Sequence, residues 1–227
     1  MSAIYLIRHG QASAGAEDYD ELSPLGCQQA AHLGAELARR GVKPAAVICG
    51  ALRRHQQTAE HCLTGAGLGL EWQTLPQWNE YDHRQILSAY NPEYHEISAL
   101  RDAMGAQADP AAFVYSELKA AFARWLSGEH DADYVESAQA FRARVQMALA
   151  GLPTPGAGPI WVFTSGGPIT VVTQTLLGLE PRELFSINAR LVNAGITKLV
   201  PDEAGWGLVS LNEHAAFEGR PEWITTL

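Results

Sequence analysis

Hydrophobic positions in this chain follow two rhythms. Ile4-Tyr5-Leu6-Ile7, Ala46-Val47-Ile48-Cys49 and Ile160-Trp161-Val162-Phe163 are short unbroken apolar runs, and each gives way within a few residues to glycine. Runs of that length bounded by breakers predict buried strands. Between them the apolar spacing becomes helical. Ser23-Pro24 supplies an N-cap and a first helical residue, Ala30, Leu33, Leu37 and Ala38 line one face, and Gly41 is placed to end the helix. A second helix is predicted from about 52 to 63, ended by the glycine-rich 65–69 loop, and a third strand at 70–75. From about 82 to 136 the chain is rich in Tyr, Trp, Ala and Glu, with Phe113, Leu118, Phe122 and Leu126 at helical spacing. That region reads as helices inserted over the sheet. A helix over 137–149, a Pro/Gly turn at 153–159, a helix over 168–177 and strands over 191–200 and 206–211 complete the pattern. Strands alternating with helices predict an α/β fold: three layers, α/β/α, around a mostly parallel sheet with helices on both faces and a helical cap insertion.

Composition narrows the function classes. A 227-residue chain that is 47% hydrophobic can fill one large core, and no repeat or low-complexity tract interrupts it. A net charge of -9 disfavours nucleic acid and anionic membranes as partners. Cys27, Cys49 and Cys62 are odd in number and lack C-x-x-C spacing, which argues for a reducing compartment and against a disulfide framework or zinc site. No basic leader with a long apolar run opens the chain, and no stretch is long enough to span a bilayer, so a cytoplasmic protein without membrane association is expected.

Four segments carry candidate chemistry, each at a predicted element boundary. Arg8-His9-Gly10-Gln11 follows the first strand, placing a guanidinium fork and an imidazole at the sheet edge where open α/β sheets hold ligands. Arg53-Arg54-His55 opens the second helix, whose N-terminus attracts anions, although a solvated helical face would look the same. Trp78-Asn79-Glu80-Tyr81-Asp82-His83 places a carboxyl among aromatics, where its pKa can rise far enough for general-acid work; a loop acid in contact with solvent is the plainer reading. Thr164-Ser165-Gly166-Gly167 links a strand to a helix and could cradle an anion, form a nucleophile elbow, or be a tight turn; Phe163 stands where the elbow wants glycine. The 65–69 glycines follow a helix and so are not a dinucleotide loop, and His32, His61 and Glu129-His130-Asp131 read as packing or surface residues.

Together these segments resemble the histidine phosphatase, or phosphoglycerate mutase-like, superfamily over nearly the whole chain. Arg8-His9-Gly10 matches its opening signature. Leu22 to Ala30 is similar to its L-[ST]-x-x-G-x-x-Q-A helix start, and Leu52 to Ala59 to its L-x-R-A-x-[QE]-T-A segment, with His55 in place of alanine. Asn193-Ala194-Gly195-Ile196-Thr197 resembles the strand after the last catalytic loop. The resemblance implies one domain over 1–227 with a helical cap at about 82–136. It also implies His9 as nucleophile, Glu80 as proton donor, and Arg8, Arg54, Gln11, Ser165 and Gly166 as phosphate-binding groups, with no metal or cofactor and a small phosphorylated substrate. One departure stands out: the family's S-H-G-[GH] motif puts a second histidine where this chain has Ser165. His55 and His83 are the nearby-segment imidazoles that could replace it.

The leading expectation is therefore a phosphohistidine phosphatase of a small phosphate ester, slowed by Ser165. The competing reading is an impaired protein of the same fold that binds a phosphate ligand. Weaker readings are a mutase, and a serine hydrolase built from Ser165, Asp202 and His214.

Overall fold

The computed structural model describes residues 2–13, 20–153, 156–203 and 205–226, with Ile97 as backbone only. Residues 14–19, between the first strand and the first helix, and part of the 153–159 turn lie outside the described residues. The apolar runs form the strands β1 (Ile4–Arg8), β2 (Ala46–Cys49) and β4 (Ile160–Thr164), joined by a two-residue β3 (Gln73–Thr74), β5 (Ile196–Asp202) and β6 (Gly205–Glu213). They make one six-stranded sheet in the order β3-β2-β4-β1-β5-β6. The β1–β4, β2–β4 and β2–β3 pairs are parallel, while β1–β5 and β5–β6 are antiparallel.

Side-chain alternation divides the strands between two cores. Ile4, Leu6, Ile48, Ile160, Val162 and Leu199 point to one face, and Ile7, Val47, Cys49, Trp161, Phe163 and Ile196 to the other. The second face is covered by α1 (Pro24–Arg39) and α2 (Arg53–Gly65), through Leu33, Leu37, Ala59, Cys62 and Leu63. Glycine lets these two helices touch: a Cβ on Gly34 would stand 1.9 Å from the Cys62 carbonyl oxygen. The first face is covered by α3 (His83–Tyr90), α5 (Pro110–Ser127), α6 (Ala138–Ala150) and α7 (Gly166–Leu177), through Ile86, Phe122, Trp125, Phe141, Val145 and Ile169. α4 (Ile97–Gly105) and α8 (Leu184–Asn188) complete the helices among the described residues. The expected α/β/α architecture is present, and β4, buried on both faces, lies at its centre.

Three boundaries differ from expectation. The strand anticipated at 70–75 pairs only at Gln73 and Thr74. The strand anticipated from 191 starts at Ile196, because the chain before it is a turn. There Ala194 takes φ +55, Asn193 N–H bonds the Thr225 carbonyl, and Ala194 N–H bonds the His9 carbonyl at 3.1 Å. α7 begins at Gly166, two residues earlier than its apolar spacing suggests.

Candidate active site

Strand register gathers the four segments at one edge. Arg8 pairs with Thr164 and Cys49 with Phe163, so His9, Ser165 and Gly50 follow three adjacent parallel strand ends. The His9 N–H bonds the Thr164 carbonyl at 2.9 Å, and the Gly50 N–H bonds the Phe163 carbonyl at 2.9 Å.

His9 is buried, and its Nδ1 lies 2.8 Å from the Gly10 carbonyl oxygen. A carbonyl only accepts, so Nδ1 carries the proton and Nε2 keeps its lone pair. Burial, then the nearby charges of Arg54 and Arg8, lower the His9 pKa well below 6.5, which holds the ring neutral. Gly10 is fixed in turn by Thr58, whose Oγ1 accepts the Gly10 N–H at 3.0 Å and donates to the Arg54 carbonyl at 2.6 Å.

Arg8 and Arg54 are buried cations. Arg8 Nη1 donates to the Leu191 carbonyl. Arg54 Nη1 donates to Asp20 at 2.6 Å, and the other Asp20 oxygen accepts the Arg53 N–H at 2.8 Å, setting a carboxylate on the first turn of α2. Arg53 is exposed and paired with Glu21. Gln11 is turned toward the start of α1: its Oε1 accepts the Ser23 hydroxyl at 2.9 Å and its N–H bonds Gln29 Oε1 at 2.8 Å. Gln29 also donates to the Trp223 carbonyl and to Thr225, tying this loop to the last turns of the chain.

Glu80 reaches the same edge from the turn after β3. Its Oε2 accepts the Gly167 N–H at 3.1 Å and its Oε1 the Tyr81 N–H at 3.3 Å. Burial raises its pKa despite those bonds and the fields of Arg54 and Arg8. Gly167 is required by proximity, since a Cβ there would stand 2.0 Å from Glu80 Oε1. Arg144 on α6 clamps the turn, donating to the carbonyls of Gln77 (2.9 Å) and Asn79 (3.1 Å) while paired with Glu136 at 2.7 Å.

Ser165 is fully buried, and its Oγ lies 2.6 Å from His55 Nε2. The His55 and His9 ring centroids are 5.9 Å apart with planes 34° from parallel. The serine hydrolase arrangement is contradicted. The imidazole beside Ser165 is His55, whereas His214 Nδ1 lies 2.7 Å from the Asn212 carbonyl beyond β6. Asp202 sits at the far end of β5, paired with Gly205. His83, the other imidazole considered, opens α3 half-buried beside the capping Asp82, and burial lowers its pKa. Thr58, Asp20, Asn79 and Arg144 escaped the sequence reading; only Thr58 and Asn79 lie within segments it singled out.

The sheet edge thus defines an α/β protein with a neutral imidazole, two buried guanidiniums and a high-pKa carboxyl at its parallel strand ends. The histidine phosphatase superfamily (branch 1) model matches residues 4–96 and 83–214, and the chain belongs to that family. No curated protein sequence matches it. Among solved structures it is similar to a phosphoserine phosphatase mutant from Entamoeba histolytica in complex with phosphoserine (20% identity, TM-score 0.63, 95% of this chain and 99% of that one). It is also similar to a phosphoglycerate mutase from Bacillus anthracis (16%, TM-score 0.62, 95% and 94%) and to a mycobacterial glucosyl-3-phosphoglycerate phosphatase (21%, TM-score 0.60, 95% and 100%). At these identities the likeness speaks for the fold.

Proposed function

We propose that the chain is a phosphatase-like hydrolase of a small phosphate ester, acting through a phosphohistidine on His9. The observation that carries this reading is the neutral His9 ring, locked by the Gly10 carbonyl with its Nε2 lone pair available, in the field of Arg8 and Arg54. Nε2 attacks phosphorus in line; the N–P bond forms as the P–O ester bond breaks. Glu80, whose pKa burial raises, gives its carboxyl proton to the departing alkoxide. The resulting carboxylate then takes a proton from water as that water attacks phosphorus. Inorganic phosphate leaves, and both residues return to their starting states. Arg8, Arg54, Gln11, Ser165 and Gly166 are assigned to the phosphoryl oxygens, and Ser165 stands where the family motif has histidine. We read residues 1–227 as one domain whose 82–136 helices cap the site and select the substrate.

The test is turnover of a panel of small phosphate esters between acid and neutral pH, with His9→Ala as control and alkaline quenching to trap a phosphohistidine. His9-dependent release of phosphate is expected. A panel without any His9-dependent turnover refutes the reading, and phosphate binding without turnover favours the ligand-binding alternative.

A further inference from the structure

Ser165 occupies the N-cap of α7 yet makes no cap bond. The reason lies in the next three residues. A capping serine bonds the N–H two or three positions on. Here the second is Gly167, whose N–H is taken by Glu80 Oε2, and the third is Pro168, which has none. The Ser165 oxygen is instead committed to His55 Nε2 at 2.6 Å. His55 itself fits because position 50 is glycine: a Cβ there would stand 2.2 Å from His55 Nδ1. Both residues are fully buried, and their elements place them beside His9.

The proton positions follow from the partners. Burial and Arg54 hold His55 neutral, so the ring carries a single N–H. His55 Nδ1 has no hydrogen-bond partner among the described residues, whereas Nε2 has Ser165. A buried N–H without an acceptor is costly, which places the proton on Nε2. Ser165 Oγ then accepts from His55, and its own O–H is released to donate elsewhere.

Resting on the phosphatase reading above, we propose that His55 and Ser165 form a donor relay, His55 Nε2–H to Ser165 Oγ–H to a phosphoryl oxygen at His9. Ser165 is the catalytic residue that touches the phosphoryl group, and His55 is the positioning residue that orients and polarises its hydroxyl. No bond to Ser165 forms or breaks, and no proton is transferred. The relay contributes hydrogen bonding that strengthens as charge builds on the phosphoryl oxygens, not a second positive charge.

Four variants test this with p-nitrophenyl phosphate: Ser165→Ala, His55→Phe, the double variant, and His55→Gln, which retains an N–H for Ser165. Each of the first two is expected to lower kcat by about 10²-fold with KM changed only a few-fold. The double variant is expected to be no worse than Ser165→Ala alone, because residues acting as a unit are not additive. His55→Gln is expected to recover activity to within about tenfold of wild type. Inorganic phosphate binding, followed by calorimetry, is expected to weaken about tenfold in Ser165→Ala. The relay is overturned by wild-type kcat in Ser165→Ala, by a further full loss when His55→Phe is added to it, by equal losses in the Gln and Phe variants, or by a covalent adduct on Ser165 after turnover. Failure of the phosphatase reading is distinguishable, since wild type then shows no His9-dependent turnover. In that event unchanged phosphate affinity in Ser165→Ala overturns the relay on its own.

Discussion

Gly167→Ala isolates the role of Glu80 without altering Glu80 itself. A Cβ at this position would lie 2.0 Å from Glu80 Oε1 and 2.7 Å from the Tyr81 ring. Tyr81 cannot yield readily, because it packs against Phe122, Trp125 and Phe141 with ring centroids 5.1–5.4 Å apart. The carboxyl must therefore move by about 1.4 Å to reach ordinary contact, breaking its 3.1 Å bond to the Gly167 N–H. A misplacement of about 1 Å costs on the order of 10² in rate, and losing a general acid costs about 10²–10⁴. The lost hydrogen bond and local crowding destabilise the fold by about 1–3 kcal/mol. The assay compares two substrates: an alkyl phosphate, whose alkoxide needs a proton, and p-nitrophenyl phosphate, whose phenolate leaves without one. kcat is expected to fall about 10²-fold for the alkyl ester and less than about tenfold for the aryl ester. Equal losses for both esters in a folded variant would refute the general-acid assignment; unchanged kcat for both would refute the geometry.

Three further outcomes follow from the same contacts. Gly50→Ala drives a methyl to 2.2 Å from His55 Nδ1, so it should lower the melting temperature and lengthen the Ser165–His55 bond, seen in a crystal structure of the variant. Arg144→Met removes the clamp on the 76–79 turn and leaves Glu136 unpaired; denaturant melts should show a loss of about 1–3 kcal/mol, and kcat should fall with little change in KM. His9 and His55 have folded pKa values below the ordinary 6.5, so the unfolded chain binds more protons as pH drops under 6.5 and stability falls with it. His55→Phe should flatten that fall in pH-dependent urea melts, and an unchanged slope would show that His55 does not titrate on unfolding.

Local pattern alone marked β1, β2 and β4 and put the four polar segments at element ends, because an apolar run ended by glycine or a polar cluster is a short-range signal. Ser23 and Pro24 marked the start of α1 for the same reason, since the Ser23 hydroxyl accepts the Gly26 N–H within one turn. The length of β3 and the turn before β5 were not legible. Strand pairing and the bonds from Asn193 to Thr225 and Ala194 to His9 are made by distant chain. Ser165 read from sequence was only a missing histidine. Whether an imidazole still approached it depended on strand order, which sets β2, β4 and β1 side by side and brings His55 across 110 residues to its hydroxyl. The residue types were written in the sequence; their pairing was decided by the register of three parallel strands and by a glycine at position 50 that leaves room for a ring.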